Sequence, residues 1–232
     1  MEKIESLEKK IGIRFKNKTL LEEALIHRSY LNESPKQKLN SNERLEFLGD
    51  SILEFVSSLF LFKRLPSYSE GKLTNIRSWL VRTSTLATLA EDLNLGDLLL
   101  LSRGEEELGG RKNPTLLANC FESLIGAMFL DQGLEPVEKF LLIVLQPKLE
   151  EIIKSQRFKD FKSLFQELIQ AKEKITPQYT VLDEQGPDHD KIFTVGLWAG
   201  EKLWAKGKGK SKLEAEEKAA AKALKKAKEE NG

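Results

Sequence analysis

Cysteine is almost missing from this chain: Cys120 is the only one among 232 residues. That excludes an internal disulfide framework and a thiolate zinc site, and among apolar neighbours Cys120 reads as a core residue. Histidine is nearly as scarce, with His27 and His189 alone, which argues against a histidine acid–base pair. His27 follows an apolar helical stretch and reads as a hydrogen-bonded structural residue. Long apolar runs are lacking as well. The longest, Phe140 to Leu145, is far too short to cross a bilayer. The opening Met-Glu-Lys-Ile-Glu lacks the basic-then-apolar order of a secretory signal. Internal repeats are absent, and only the Lys/Ala/Glu-rich tail is low in complexity. A cytoplasmic protein is expected, with no membrane partner and no small organic cofactor.

What is present is an ordinary apolar fraction of 40% beside a heavily ionic 31% of charged residues. The length suits one large or two modest domains. The net charge of +1 conceals an asymmetry. Met1 to Ile152 holds 20 Lys+Arg against 23 Asp+Glu, whereas Ile153 to Gly232 holds 17 against 13. Lys206 to Lys228 is sharper, with nine lysines and three glutamates. Such a division suits an acidic catalytic part beside a nucleic-acid-binding part; a solvated, lysine-rich helix would give the same count.

Hydrophobic spacing predicts helices through the first two-thirds: Ser6–Ile11, Leu20–Ile26, Glu43–Leu65, Gly71–Leu93, Pro114–Leu130 and Pro136–Ile153. Loops are predicted at Asn32–Asn42 and Ser102–Asn113, where Gly104, Gly109 and Gly110 interrupt the pattern. No strand signal precedes Gln178. Residues 154–159 read as a short charged linker, separating domains at 1–153 and 160–229. After it come a helix, Phe161–Lys174, and an alternating segment, Gln178–Asp183. The turn Gln185-Gly186-Pro187-Asp188 leads to a second alternation, Ile192–Trp198, with Phe193, Val195 and Leu197 on one face. Ala199-Gly200-Glu201 turns into Lys202–Lys206, and Ser211 with Glu214 forms a capping box for a last helix. The order is α-β-β-β-α. Trp198 and Trp204 fall on the sheet and read as packing residues.

Glu43, Glu46, Asp50 and Glu54 are spaced by three, four and four, so they share one narrow face of a helix. Leu45, Leu48, Ile52 and Val56 point elsewhere, toward the core. Like charges at these spacings repel by a few tenths of a kcal/mol per pair, roughly. A multivalent cation relieves this, and Mg²⁺ takes hard oxygen ligands in octahedral geometry. On spacing alone a solvated helix face is the favoured reading of the stripe. Asn119 and Glu122 share a face of the strongly apolar Pro114–Leu130 helix. Burying that carboxylate is costly unless it is paired or metal-bound. A Glu at the rim of the core remains the plain alternative.

The run Asn42-Glu43-Arg44-Leu45-Glu46-Phe47-Leu48-Gly49-Asp50-Ser51-Ile52-Leu53 resembles the signature of the ribonuclease III family. Ala24-Leu25-Ile26-His27-Arg28-Ser29-Tyr30 stands before it. Glu70-Gly71-Lys72-Leu73-Thr74, Gly104-Glu105-Glu106, Gly109-Gly110-Arg111 and Leu117–Ala127 follow in the family's order. The tail is similar to the double-stranded-RNA-binding domain of bacterial members. The resemblance implies a mainly α protein: an all-helical endonuclease domain followed by a small α-β-β-β-α double-stranded-RNA-binding domain. It implies a Mg²⁺-dependent endoribonuclease, with Mn²⁺ a plausible substitute, acting as a homodimer on both strands of an RNA duplex. The implied products carry 5′-phosphate and 3′-hydroxyl ends with short 3′ overhangs, and the implied role is rRNA and mRNA precursor processing.

Carried over by residue, the resemblance makes Glu46, Asp50, Asn119 and Glu122 the metal-site positions, with Asp50 and Glu122 catalytic. Glu43 and Glu70 resemble the outer acidic positions. At the position of Asn119 the family normally has Asp, and an amide brings no negative charge. This departure keeps a second reading open: a dimeric double-stranded-RNA-binding protein with attenuated or absent cleavage. Phe47 resembles the aromatic that packs into the partner subunit, although its residue type alone suggests an intrachain core position. In the tail, Ser163, Gln166, Glu167 and Gln170 lie where this domain family meets one minor groove of A-form RNA, and Pro187 and His189 where it meets a second. Ser211 and Lys212 open the last helix, whose N-terminus favours phosphate, and Lys208 and Lys210 add charge. Leu213 stands where the family usually has a second lysine, which implies a modest loss of phosphate affinity.

Overall fold

The computed structural model describes residues 2–33, 39–155, 161–187 and 191–229. The chain divides into two compact units, Met1–Phe158 and Lys159–Gly232. The first is helical: α1 (Glu2–Ile11), α2 (Lys18–Ala24), α3 (Arg28–Glu33), α4 (Glu43–Arg64), α5 (Glu70–Leu80), α6 (Thr83–Asp92), α7 (Arg103–Glu107), α8 (Pro114–Gln132) and α9 (Leu134–Ser155). Helix α8 is the axis of this unit. Asn113 caps it by accepting from the Thr115 amide at 2.9 Å, and Pro114 occupies the first turn, where its missing N–H costs nothing. Leu117, Phe121, Leu124, Ile125 and Met128 are all buried, so α8 packs on several sides, against α2, α4, α6 and α9. Helix α4 opens with Glu43 and Glu46 and closes with Lys63 and Arg64, charges that complement its dipole.

Several boundaries differ from the sequence expectation. Helix α1 begins at Glu2 rather than Ser6, because Ile4, Leu7 and Ile11 form one stripe against the core. Helix α2 stops at Ala24. Beyond it Ile26 forms a parallel bridge with Leu100, fixed by His27 N–H to the Leu100 carbonyl at 3.0 Å and Leu100 N–H to the Leu25 carbonyl at 2.8 Å. The short α3, which buries no residue, left no apolar pattern to read. The single helix expected over Gly71–Leu93 is two. Arg82 is extended between them, and the Thr85 hydroxyl donates to the Trp79 carbonyl at 2.8 Å. Neither Gly nor Pro marks that break. The Ser102–Asn113 loop contains α7, capped by Ser102 accepting from the Glu105 amide at 3.2 Å, and a 3-10 turn, Gly110–Lys112. Helix α9 runs through Ser155, so Lys154 and Ser155 are helical rather than linker; the rest of the expected linker lies outside the described residues.

The second unit is α10 (Phe161–Glu173), β1 (Gln178–Gln185), β2 (Ile192–Ala199), β3 (Lys202–Gly209) and α11 (Lys212–Glu229). The strands form one antiparallel sheet in the order β1-β2-β3, with a bulge between Val181 and Asp183. Val195, Leu197 and Ala199 are buried, and the core joins Leu197 and Ala199 to Phe165 and Ile169 of α10 and to Ala219, Ala220 and Ala223 of α11. Trp204 packs edge-on to Phe165, ring centres 5.3 Å apart. Strands β1 and β3 run longer than expected, to Gln185 and Gly209. Glycines at 207 and 209 carry no apolar alternation, yet α11 lies directly against them: a Cβ on Gly207 would stand 1.9 Å from the Ala215 carbonyl oxygen. The Ser211 hydroxyl accepts from the Glu214 amide at 3.1 Å, as a capping box requires, but the Glu214 carboxylate reaches the Lys210 amide, one residue before Ser211, at 2.7 Å.

Candidate active site

Two helices build the acidic site of the first unit. Helix α4 carries Glu43, Glu46, Asp50 and Glu54; α8 carries Asn119 and Glu122. They meet backbone to backbone. A Cβ on Gly49 would lie 1.7 Å from the Glu122 carbonyl oxygen, and one on Gly126 would lie 2.2 Å from that of Leu45. Only glycine at both positions permits this approach. It brings the residues flanking Gly49 on α4, Glu46 and Asp50, within electrostatic reach of Glu122.

The charges within this cluster are unequally compensated. At the ends of the stripe Arg28 pairs with Glu43 at 3.6 Å, and Arg77 pairs with Glu54 at 2.9 Å. Among the described residues no cation pairs with Glu46, Asp50 or Glu122. Burial, then the charges of Asp50 and Glu46, push the half-buried Glu122 carboxyl up to about 7. Glu46 is raised by burial and by Glu43, with Asp50 adding to it, while a hydrogen bond from Asn119 works against the shift. Asn119 therefore acts on the site through Glu46, whose charged form its side chain favours.

The donors available are all oxygen, which fits a hard divalent cation and no softer metal. The fit lies in this donor chemistry and in the uncompensated repulsion. Among the described residues no group of three or more His, Cys, Asp or Glu side chains is placed as a ready-made metal cage. Glu70 is not brought to the trio. It opens α5, accepts from the Thr74 hydroxyl at 3.0 Å and borders a separate groove of about 370 Å³ with Phe62, Tyr68 and Arg77. A larger groove, about 850 Å³, lies between α1 and α2 and contains none of these residues.

Phe47 is 78% exposed, which removes the intrachain-core reading. Phe55 and Phe62, also exposed, fall on the same side of α4, giving an aromatic row beside the acidic stripe. His27 is structural: its Nδ1 accepts from the Ser29 amide at 3.3 Å, and burial holds its pKa below the ordinary range. Cys120 is buried, its thiol pushed up to about 12 by burial. Glycines 49 and 126 escaped the sequence reading as site-building residues. Their only signal was a glycine set within each acidic or apolar helical pattern.

In the second unit Ser163, Gln166, Glu167 and Gln170 are exposed on one side of α10, opposite the buried Phe165 and Ile169. Pro187 is exposed after Gly186, and His189 lies outside the described residues. Lys208 and Lys210 are exposed, Lys208 being paired in register with Thr194. Ser211 caps α11, and Lys212 begins it with its Nζ 3.6 Å from Glu184. Trp204 is buried and Trp198 half-buried, so both pack.

An acidic helical unit followed by an α-β-β-β-α unit defines the class: an endoribonuclease acting on double-stranded RNA. Residues 17–149 match the Ribonuclease-III-like family, and residues 161–227 match the double-stranded RNA binding motif. Ribonuclease 3 of Bacillus velezensis is 44% identical over 224 residues, 97% of this chain and 90% of its own. Ribonuclease 3 of a Roseiflexus species is 45% identical over 95% of this chain and 94% of its own. The nuclease domain of ribonuclease III from Campylobacter jejuni superposes with a TM-score of 0.58 at 39% identity, covering 62% of this chain and 96% of that domain. That domain shows structural flexibility in a region involved in dimer formation. The chain belongs to the ribonuclease III family. Membership carries, in general, a dependence on a divalent metal.

Proposed function

We propose that this chain is a Mg²⁺-dependent, homodimeric endoribonuclease that cuts both strands of an RNA duplex to 5′-phosphate and 3′-hydroxyl ends. Its cellular place is the cytoplasm, in the processing of rRNA and mRNA precursors. The observation that carries the reading is the trio Glu46, Asp50 and Glu122, held together by the α4–α8 contact while no cation of the described chain pairs with it. In this reading the three carboxylates hold the metal, and Mg²⁺, when bound, supplies an activated water and charge stabilisation at the scissile phosphate. Without metal, burial and then the charges of Asp50 and Glu46 raise Glu122 to about 7, and a cation bound between these carboxylates relieves that repulsion. Asn119 favours the charged, metal-binding form of Glu46. Glu43 is the outer acidic position of the trio, while Glu70, on α5 beside a separate groove, is given no role at it. Phe47, exposed at the end of the aromatic row, packs into a second copy, and two copies match the pseudo-two-fold of an RNA duplex. The exposed faces of α10, the Gly186-Pro187 turn and the α11 N-terminus, with Lys208, Lys210, Ser211 and Lys212, meet the duplex by shape and phosphate.

A second reading, a duplex-RNA binder with attenuated cleavage, is favoured by two facts. Asn119 adds no charge to the site, and the carboxylates are not placed as a finished cage. One assay separates them: cleavage of a long RNA duplex with Mg²⁺, with Mn²⁺ and with EDTA, for the natural chain and for Asn119→Asp. Cleavage with either metal and none with EDTA supports the enzyme. Binding without metal-dependent cleavage in the natural chain, restored by Asn119→Asp, supports the attenuated binder.

A further inference from the structure

The end of the sheet nearest the β1–β2 turn carries a carboxylate among the bases. Glu184 lies on β1, two residues before Gly186, and is paired in register with Phe193 of β2. Its two oxygens reach two lysines: Lys191 Nζ is 3.6 Å from one and Lys212 Nζ is 3.6 Å from the other. Lys212 also stands 5.6 Å over the Phe193 ring, so its side chain is directed across the sheet end rather than freely into solvent. The carboxylate and both ammonium groups are partly exposed. Glu184 thus engages the ammonium of Lys212 that the proposed function assigns to an RNA phosphate.

We infer that Glu184 is an internal phosphate mimic that restrains the affinity of the second unit for polyanions by holding Lys191 and Lys212. This rests on the reading of Lys212 as an RNA contact. A phosphate approaching Lys212 either displaces the carboxylate or shares the ammonium with it as a like charge. Both are unfavourable, and both weaken with salt. The restraint acts on any polyanion. The shape-read contacts of α10 and of Gly186-Pro187 favour an A-form duplex alone and lie outside this restraint.

The test is equilibrium binding of the full chain to an RNA duplex in EDTA, followed by fluorescence anisotropy across a series of salt concentrations. Glu184→Gln keeps the side chain's size at an exposed position, and a circular-dichroism melt checks that it folds. This variant is expected to bind about three- to tenfold tighter at about 50 mM salt, with a steeper salt dependence. In a Lys191→Ala/Lys212→Ala background the same change is expected to have no effect. Unchanged or weaker binding by Glu184→Gln overturns the inference, and so does tightening that persists without the two lysines. If Lys212→Ala alone binds as tightly as the natural chain, the RNA-contact reading of Lys212 fails and the inference falls with it. Weakened binding by Lys212→Ala beside unchanged binding by Glu184→Gln overturns the inference alone.

Discussion

In the first unit α4 and α8 meet across Gly49 and Gly126; in the second, β3 meets α11 across Gly207, against Ala215 and Ala219. Both seams replace side chains by backbone, and both place charged residues nearby, but of opposite sign and in different settings. At the α4–α8 seam the carboxylates are drawn into a half-buried cluster, and their desolvation, then their mutual repulsion, raise Glu46 and Glu122. At the β3–α11 seam alanines fill the interior, and the lysines stay at the surface with partners such as Glu184 and Glu214. A small-residue seam is a positioning device. What it produces depends on whether the charges beside it are held in or left out. Desolvated like charges create a demand for a cation, whereas solvated lysines leave an adjustable surface for an anion.

The largest expected effect tests whether the acidic seam is catalytic. Glu122→Gln or Asp50→Asn should lower duplex-RNA cleavage by about a thousandfold or more, while binding in EDTA changes by less than about twofold. Loss of binding in parallel with cleavage would instead mean that the seam is chiefly structural. Next, Gly49→Ala should destabilise the first unit by about 3 kcal/mol, since its Cβ meets a backbone carbonyl that cannot move aside. Gly104→Ala, where a Cβ meets nothing within 4 Å, should cost nothing measurable in the same urea titration. Equal stabilities for the two would remove the basis for the seam.

A smaller effect concerns pH without metal. Glu122 has a folded pKa of about 7 against an ordinary value of 4.5. Between these values the native state holds a proton that the unfolded state releases. The contribution of Glu122 to stability is therefore greatest below the ordinary value and is lost as pH rises through about 7. The group is only half-buried, so the change is on the order of 1 kcal/mol. Thermal unfolding in EDTA from acid to mildly alkaline pH should show it, and Glu122→Gln should flatten it. A curve rising with pH through that range in the natural chain, but not in the variant, would reverse the assigned sign. The smallest effect lies in the second unit. Leu213→Lys, at an exposed position on the first turn of α11, should tighten duplex-RNA binding by about two- to threefold and steepen its salt slope by about 0.9. An unchanged slope would place Leu213 outside the phosphate contact.

Much of the site was legible because it is periodic. Glu43, Glu46, Asp50 and Glu54 share a face wherever a helix forms, and α4 forms nearly as its apolar spacing requires. The break between α5 and α6 was not legible, since it rests on an extended Arg82 and on Thr85 reaching back to Trp79 rather than on a helix-breaking residue. Nor was α3, which buries nothing. Residue type alone put Phe47 in the core and the fold left it exposed, because the α4 face it occupies is not the one that α8 covers.

The order of apolar and charged residues therefore determined the helical first part, the α-β-β-β-α tail, the acidic stripe and the lysine-rich end. These follow from local periodicity and turn chemistry, which act over a few residues. Only the tertiary structure decided that Glu122, far from α4 in the chain, joins Glu46 and Asp50 with no paired cation among the described residues, and that Glu184 holds Lys212. The physical reason is that pairing, desolvation and the pKa shifts they cause depend on distances across elements. Those distances are set by which helices and strands pack closely enough for backbone to touch backbone.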